Sequence, residues 1–180
     1  MADWHACAAL VEKGDPDRFM AVMSCDVAAR ARLFPLFAFN LEVARAPWMT
    51  QEPMIAEMRL QWWRDALAEI EAGGFVRRHE VVTPLATVIS DKDARQLDVL
   101  VEAREWDVEP SVFPDESALW AYLDATAGGL IAVAARALGG PVLDGSGGLV
   151  RRPARLAVAS PAGQIVVLIG IRNDVHMAPS

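Results

Sequence analysis

Cysteine, histidine and tyrosine are scarce in this 180-residue sequence, at two, three and one residues. Cys7 and Cys25 have no second pair and no histidines beside them, which excludes a disulfide framework and a zinc site and leaves two buried free thiols as the expectation. His5, His79 and His176 stand far apart without HExxH or related spacing, so a histidine-built metal centre has no support. The nucleophile elbow GxSxG, the phosphate-binding P-loop and the dinucleotide motif GxGxxG are all missing. Positive charge is in deficit, 17 Lys and Arg against 24 Asp and Glu for a net charge of −7. That balance argues against a nucleic-acid partner, because affinity for a phosphate backbone comes from cations that neutralise it. No basic start followed by an apolar core opens the chain, and no apolar run, Ile165 to Ile171 among them, approaches the roughly 20 residues of a membrane-spanning helix. The expectation is a cytoplasmic location with no transmembrane segment, with peripheral contact to an inner membrane left open.

What remains is apolar and helical in character. Hydrophobic residues make up 53% of the chain and six are tryptophan, enough for one domain with a real core. The most legible helix lies between Gln51 and Gly74: Pro53 suits a first turn, Glu52 and Glu57 face the positive end of the dipole, and Gly73-Gly74 supply the stop. Leu60, Trp63, Leu67 and Ile70 form one stripe, and Ile55, Met58, Trp62 and Ala66 an adjoining one, which predicts a helix buried over more than half its girth. Arg59, Arg64, Asp65 and Glu69 must then face solvent, a partner carboxylate or a cavity.

Before it, residues 3 to 13 read as a short amphipathic helix with Asp3 as cap, broken at Gly14-Asp15-Pro16. The stretch from Asp17 to Ala46 is helix-rich. Pro35 leaves two readings, a helix that starts near Ser24 or Asp26 and kinks at the proline, or one that ends before it. After it, Thr83 and Pro84 open a helix running to Ser90, and Asp91 to Trp106 continues as helix with Leu97, Leu100, Val101 and Arg104 on one side. Asp115 or Ser117 caps a last helix reaching about Leu138, with Leu119, Tyr122, Leu123, Thr126 and Leu130 facing one way. Gly128-Gly129 in its middle costs about 1 kcal/mol per residue against alanine, which calls for close packing or close approach of a ligand. Beyond Pro141 the character changes, and Gln164 to Ile171 is β-branched enough for a strand.

Carboxylates one helical turn apart can hold Mg²⁺ against a diphosphate. Glu52 with Glu57, Asp65 with Glu69 and Asp91 with Asp93 are the candidates, and none differs in spacing from an ordinary solvated helix face. Arg59, set among Met58, Trp62 and Trp63, fits an anion contact and a buried ion pair equally well.

Residues 18 to 75, through AFNLEVAR at 38–45, RLQWWRDAL at 59–67 and the paired glycines, resemble the squalene/phytoene synthase family. LVEAREWDVEP and ALWAYLDATAGGLIAVAARALGG extend the likeness to about residue 140. The resemblance implies an all-α, isoprenoid-synthase-like helical bundle around a deep apolar cavity, with two aspartate-rich motifs holding Mg²⁺ and prenyl diphosphates. Carried over position by position, the first motif falls on Ala44, Arg45 and Trp48, none of them a carboxylate. Glu42 lies about half a helical turn from Ala44, and Arg172-Asn173-Asp174 is only a faint echo of the second motif. The pattern is nearer to the branch that has lost these aspartates, which includes complex I assembly factors of mitochondria and bacterial relatives.

The resulting expectation is a helical domain over residues 1–140 and a divergent tail over 141–180. The leading functional reading is a non-catalytic binding or assembly protein with an isoprenoid or other apolar ligand, a protein partner and no cofactor. The alternative is an active head-to-head prenyltransferase of isoprenoid biosynthesis, in which Glu42, Asp65 and Asp124 would hold Mg²⁺. A third is a plain helical domain whose tryptophans bury one another. The expected site residues are Phe37, Asn40, Leu41, Ala44, Arg59, Trp63, Arg64, Tyr122 and Gly129, with Arg59 and Arg64 facing an anion. No metal ligand is assigned.

Overall fold

The structure is a computed structural model that describes residues 3–139 together with two strand segments, 155–159 and 165–169. Residues 3–139 are built from helices and their connections: α1 (His5–Gly14), α2 (Pro16–Met23), α3 (Val27–Arg45), α4 (Pro53–Ala72), α5 (Val82–Leu85), α6 (Asp91–Ala103), α7 (Glu116–Leu123) and α8 (Gly129–Ala137). The all-α body agrees with the expectation. The strand expected within 164–171 is β2 (Ile165–Ile169), paired antiparallel with β1 (Arg155–Ala159) so that Ala157 lies opposite Val167.

The centre of the fold is α3. Every residue from Leu33 to Asn40 is buried, and Leu33, Phe34, Leu36, Phe37 and Phe39 are fully so. At about 1.5–3 kcal/mol for each large apolar side chain removed from water, this helix contributes more to the core than any surface element can. Asp26 caps it by accepting from the Ala29 N–H at 2.8 Å, and Pro35 lies inside it, so the first of the two sequence readings is the one realised. The missing proline N–H leaves one carbonyl of the preceding turn without its helical partner, a loss confined to one rung. Around α3 pack α1, α2, α5 and α8, while α4 lies against α6 and α6 against α8.

The helix α4 has the expected ends, with Pro53 in its first turn and Gly73 closing it in the left-handed conformation at φ 65°. Its girth does not follow the expectation. Ala56, Leu60, Trp63, Ala66, Leu67 and Ile70 are buried, but Ile55, Met58 and Trp62 of the second stripe are exposed. One face of α4 is enough to cover α6 and the end of α3; on the other, Trp62 is flanked by His79 and Arg77, while Ile55 and Met58 are left to the surface.

Further differences are local. The helix expected from Pro84 to Ser90 is the four-residue α5, starting at Val82. Ser90 instead begins α6 through a reciprocal capping box with Asp93, and α6 gives way to a 3-10 turn at Arg104–Asp107. Leu97, Leu100, Val101 and Arg104 are all buried, as their spacing predicts. Asp115 is the cap of α7, accepting from Ala118 N–H at 2.8 Å. A π-helical turn at Asp124–Gly128 joins α7 to α8 in one continuous helix. A β-carbon at Gly129 would meet Gln96 at 3.7 Å, an ordinary contact, so close packing does not require that glycine.

By length and composition, Glu116–Ala137 is the one helix among the described residues able to cross a membrane. The unbroken-run criterion used on the sequence passes over it. Its Tyr122, Thr126, Leu130, Val133 and Ala134 are buried in the helical body, and α8 packs on both α3 and α6. Its apolar stretch is 33% buried, so the helix packs on the body along one face.

Candidate functional site

The C-terminal end of α3 presents Glu42, Arg45, Ala46 and Met49 at i, i+3, i+4 and i+7, carried past the helix end by a 3-10 turn at Ala46–Met49. Opposite, α4 presents Arg59, Trp62 and Trp63 at i, i+3 and i+4, and His79 closes the end. These eight residues line a cleft of about 260 Å³.

Its floor is aromatic. Trp63 meets Phe39 edge-on with ring centroids 5.4 Å apart, and Trp62 meets Trp63 edge-on at 4.9 Å. His79 packs against both indoles at 5.0 and 5.5 Å, and its Nδ1 accepts the Val81 N–H at 3.1 Å, which leaves Nε2 as the protonated nitrogen of the neutral ring. Behind Trp62, the Arg77 guanidinium sits 4.7 Å above the ring and is gripped by Glu69. Hydrogen bonds from the Arg77 side chain and backbone N–H hold the Glu69 carboxyl below its ordinary range. The tryptophan wall is therefore braced from the far side.

The cleft's charge is carried by arginine. Arg45 reaches Glu42 only at 4.0 Å, and its head lies against Gly14. A β-carbon at Gly14 would come within 2.5 Å of Arg45 Nη2 and Leu41 Cδ2, so a side chain there would displace the ends of both where α1 closes on α3. Arg59 is exposed and has no ion-pair or hydrogen-bond partner among the described residues.

The family resemblance implies Mg²⁺ at this mouth, and the residues do not fit it. Ala44, Arg45 and Trp48 offer no oxygen ligand, and a guanidinium repels a divalent cation. Among the described residues no group of three or more His, Cys, Asp and Glu side chains is placed to hold a metal ion. Arg172-Asn173-Asp174 lies outside the described residues.

The expected site residues are distributed over several places. Arg59 and Trp63 meet in the cleft; Leu41 and Ala44 are half-buried on α3 beside it. Arg64 turns to the other flank of α4, where it holds Asp98 through two hydrogen bonds at 2.8 and 3.1 Å and lines a polar groove with Gln61, Asp65 and Glu71. Phe37 and Asn40 lie in the interior, and Asn40 Oδ1 has no hydrogen-bond partner among the described residues. Gly129 faces Gln96.

Tyr122 belongs to a buried polar cluster that sequence reasoning did not assemble. Arg104 Nη1 donates to the Tyr122 hydroxyl at 2.8 Å and to Asp107 at 2.9 Å, and the Tyr122 hydroxyl in turn donates to Asp107. Burial pushes the Tyr122 hydroxyl up, with Asp107 adding to the effect and Arg104 opposing it. Arg18 lies 4.8 Å above the Phe37 ring and pairs with Asp15 at 3.3 Å. Burial lowers its pKa; Asp15 works against this and nearby Arg104 adds to it. The placement of Arg104 on the apolar side of α6 was the available signal. His79, far from the aspartate-motif positions, gave none, and Met49, next to Trp48, carried none of the motif's chemistry. Arg45 and Trp62 were legible by spacing.

The arrangement is a helical body with an aromatic cleft whose mouth carries guanidinium groups in place of metal ligands. The squalene/phytoene synthase family pattern matches residues 11–177, and the chain belongs to that family. A Drosophila melanogaster protein named as a homolog of NADH dehydrogenase (ubiquinone) complex I assembly factor 6 is 40% identical over 62 residues, 34% of this chain and 19% of that protein. The Homo sapiens complex I assembly factor 6 is 26% identical over 106 residues, 52% of this chain and 32% of that protein. The chain thus matches less than a third of the length of either relative. No solved structure matches it significantly.

Proposed function

We propose that this chain is a non-catalytic family member, a helical binding and assembly protein. The observation that carries the reading is the cleft mouth, where Arg45 and Arg59 stand and no carboxylate occupies the positions that correspond to the first metal motif. Prenyl diphosphate ionisation depends on metal ions that neutralise the leaving group. Two arginines can bind an anion but bring no such ions with them. A protein partner is proposed on the strength of the fly and human relatives, both named for assembly of complex I. An isoprenoid or other apolar ligand enters the proposal through family kinship alone, and a cytoplasmic location peripheral to the inner membrane is proposed with it.

The test is incubation of the purified chain with farnesyl and geranylgeranyl diphosphate, with and without Mg²⁺, followed by mass spectrometry of products and co-purified lipid. No turnover is expected. Metal-dependent diphosphate release with a condensed hydrocarbon would overturn the reading in favour of the head-to-head prenyltransferase.

A further inference from the structure

Beside the cleft, an apolar face is left uncovered by the described residues. Met54 and Met58 on α4 are 72% and 66% exposed, and Ile55 and Trp62 lie with them. Trp48 and Met49, from the turn that ends α3, are 65% and 61% exposed. Three methionines and two tryptophans thus border the cleft that holds Arg59. Methionine is flexible and polarisable and adapts to the shape of an apolar partner, and tryptophan and arginine are the residues that most often anchor an interface.

The charges around this face are of two kinds. On the cleft side Arg59 is exposed and unpaired among the described residues. On the other margin, Glu57 is exposed without an ion-pair partner among the described residues, and Asp65, seven residues on from Met58, closes the far end of the stripe and accepts from Gln61 at 2.8 Å. We propose that this face docks an amphipathic helix of a partner protein that carries an acidic residue against Arg59 and basic residues against Glu57 and Asp65. The proposal rests on the assembly reading above and locates its surface.

An apolar helix face laid into an apolar groove is a recurrent recognition mode, with side chains at i, i+3, i+4 and i+7 as anchors. Its charged flanks fix register and orientation. Two other occupants fit less well. An anionic lipid surface would meet the carboxylates along the margin, in a chain of net charge −7. A second copy, related by a twofold axis with the two α4 helices antiparallel, would set like flank against like flank and bring each Arg59 toward its own counterpart.

The experiment places the photoreactive residue p-benzoylphenylalanine at Met58, and separately at Val112 as a control, in the full chain expressed in its own cells. Val112 is 93% exposed, on the loop before α7. The expected result is a crosslink from Met58 to one segment of a different protein, apolar at helical spacing and carrying an acidic residue. A synthetic peptide of that segment should bind the purified chain. Arg59→Glu should weaken binding about tenfold, and changing the peptide's acidic residue to lysine should restore it. Crosslinks from Met58 to lipid or to a second copy overturn the proposal, as does peptide binding indifferent to Arg59→Glu. So does binding to phosphatidylglycerol vesicles that Met54→Glu and Met58→Glu abolish. A protein partner captured at Val112 and not at Met58 would leave the assembly reading standing and remove this face from it. Capture at neither position would remove both.

Discussion

Replacing Asn40 with leucine should make the protein more stable. Asn40 lies in the most deeply buried stretch of α3, is 3% exposed, and its Oδ1 has no hydrogen-bond partner among the described residues. A buried polar atom left unpaired costs about 1–3 kcal/mol of desolvation, whereas an apolar group of similar shape incurs no such penalty. Leucine branches at the same carbon and has as many heavy atoms, but its two methyl groups are bulkier than the amide, so part of the gain is offset by the space they demand. A gain of about 1–2 kcal/mol is expected. For a chain of this length each kcal/mol moves Tm by roughly 2–4 °C, so the rise should be roughly 2–8 °C. Urea unfolding followed by far-UV circular dichroism is the assay; the midpoint should rise while the slope stays unchanged. Asn40→Ala removes the same oxygen but leaves a cavity in its place, so it should gain less or lose stability. A loss of about 1 kcal/mol or more in Asn40→Leu would refute the reasoning, because it would mean that water or a bound group satisfies Oδ1 in solution.

Tyr122→Phe should destabilise the protein by about 1–3 kcal/mol in the same assay, because Arg104 and Asp107 both lose a buried hydrogen-bond partner; an unchanged midpoint would show that the hydroxyl is idle. Acid should loosen the contact between α6 and α8 through Asp93. Burial works to raise its carboxyl, but hydrogen bonds from the Ser90 N–H and hydroxyl and from Arg136 outweigh this and hold it below the ordinary range. Its contribution is therefore complete above about pH 4 and is lost as pH falls through the lower folded value, a slope that Asp93→Asn should flatten in pH-dependent urea titrations. Neither cysteine should react with iodoacetamide at pH 8 in the folded protein. Burial, with Glu80 nearby, pushes the Cys7 thiol up to about 12, and burial also raises Cys25. Mass spectrometry should find both modified only after unfolding.

The helices were legible wherever local chemistry marks their ends. Pro53 and Gly73 bracket α4, and Asp115 starts α7, because capping is a matter of a few consecutive residues. What periodicity could not supply was the identity of the uncovered face of α4. Met58 and Trp62 are as apolar as Leu60 and Trp63, and only the position of α6 decides which pair is buried. The candidate site was half legible for the same reason. Arg59 and Trp63 are one turn apart on one helix, but His79 arrives from the loop after α4, through the packing of Val81 and Val82 into the core. The clustering of Arg18 with Arg104 joins helices 86 positions apart in sequence, and no spacing rule spans that distance.

The π-helical turn at Asp124–Gly128 alters how the length of the last helix is to be counted. Tyr122, Thr126, Leu130, Ala134 and Leu138 are all buried, one every fourth residue. At about 100° per residue, a straight α-helix would carry such a series around by about 160° from first to last and turn its end toward solvent. The wide turn, closed by the Gly129 N–H on the Asp124 carbonyl, winds more slowly and takes back most of that drift. It behaves as a one-residue insertion absorbed where it occurs, so the helix contains one residue more than its path requires. Related chains one residue shorter at this point are thereby expected to present the same face to α3 and α6, and alignments of the family should place a single-residue gap here.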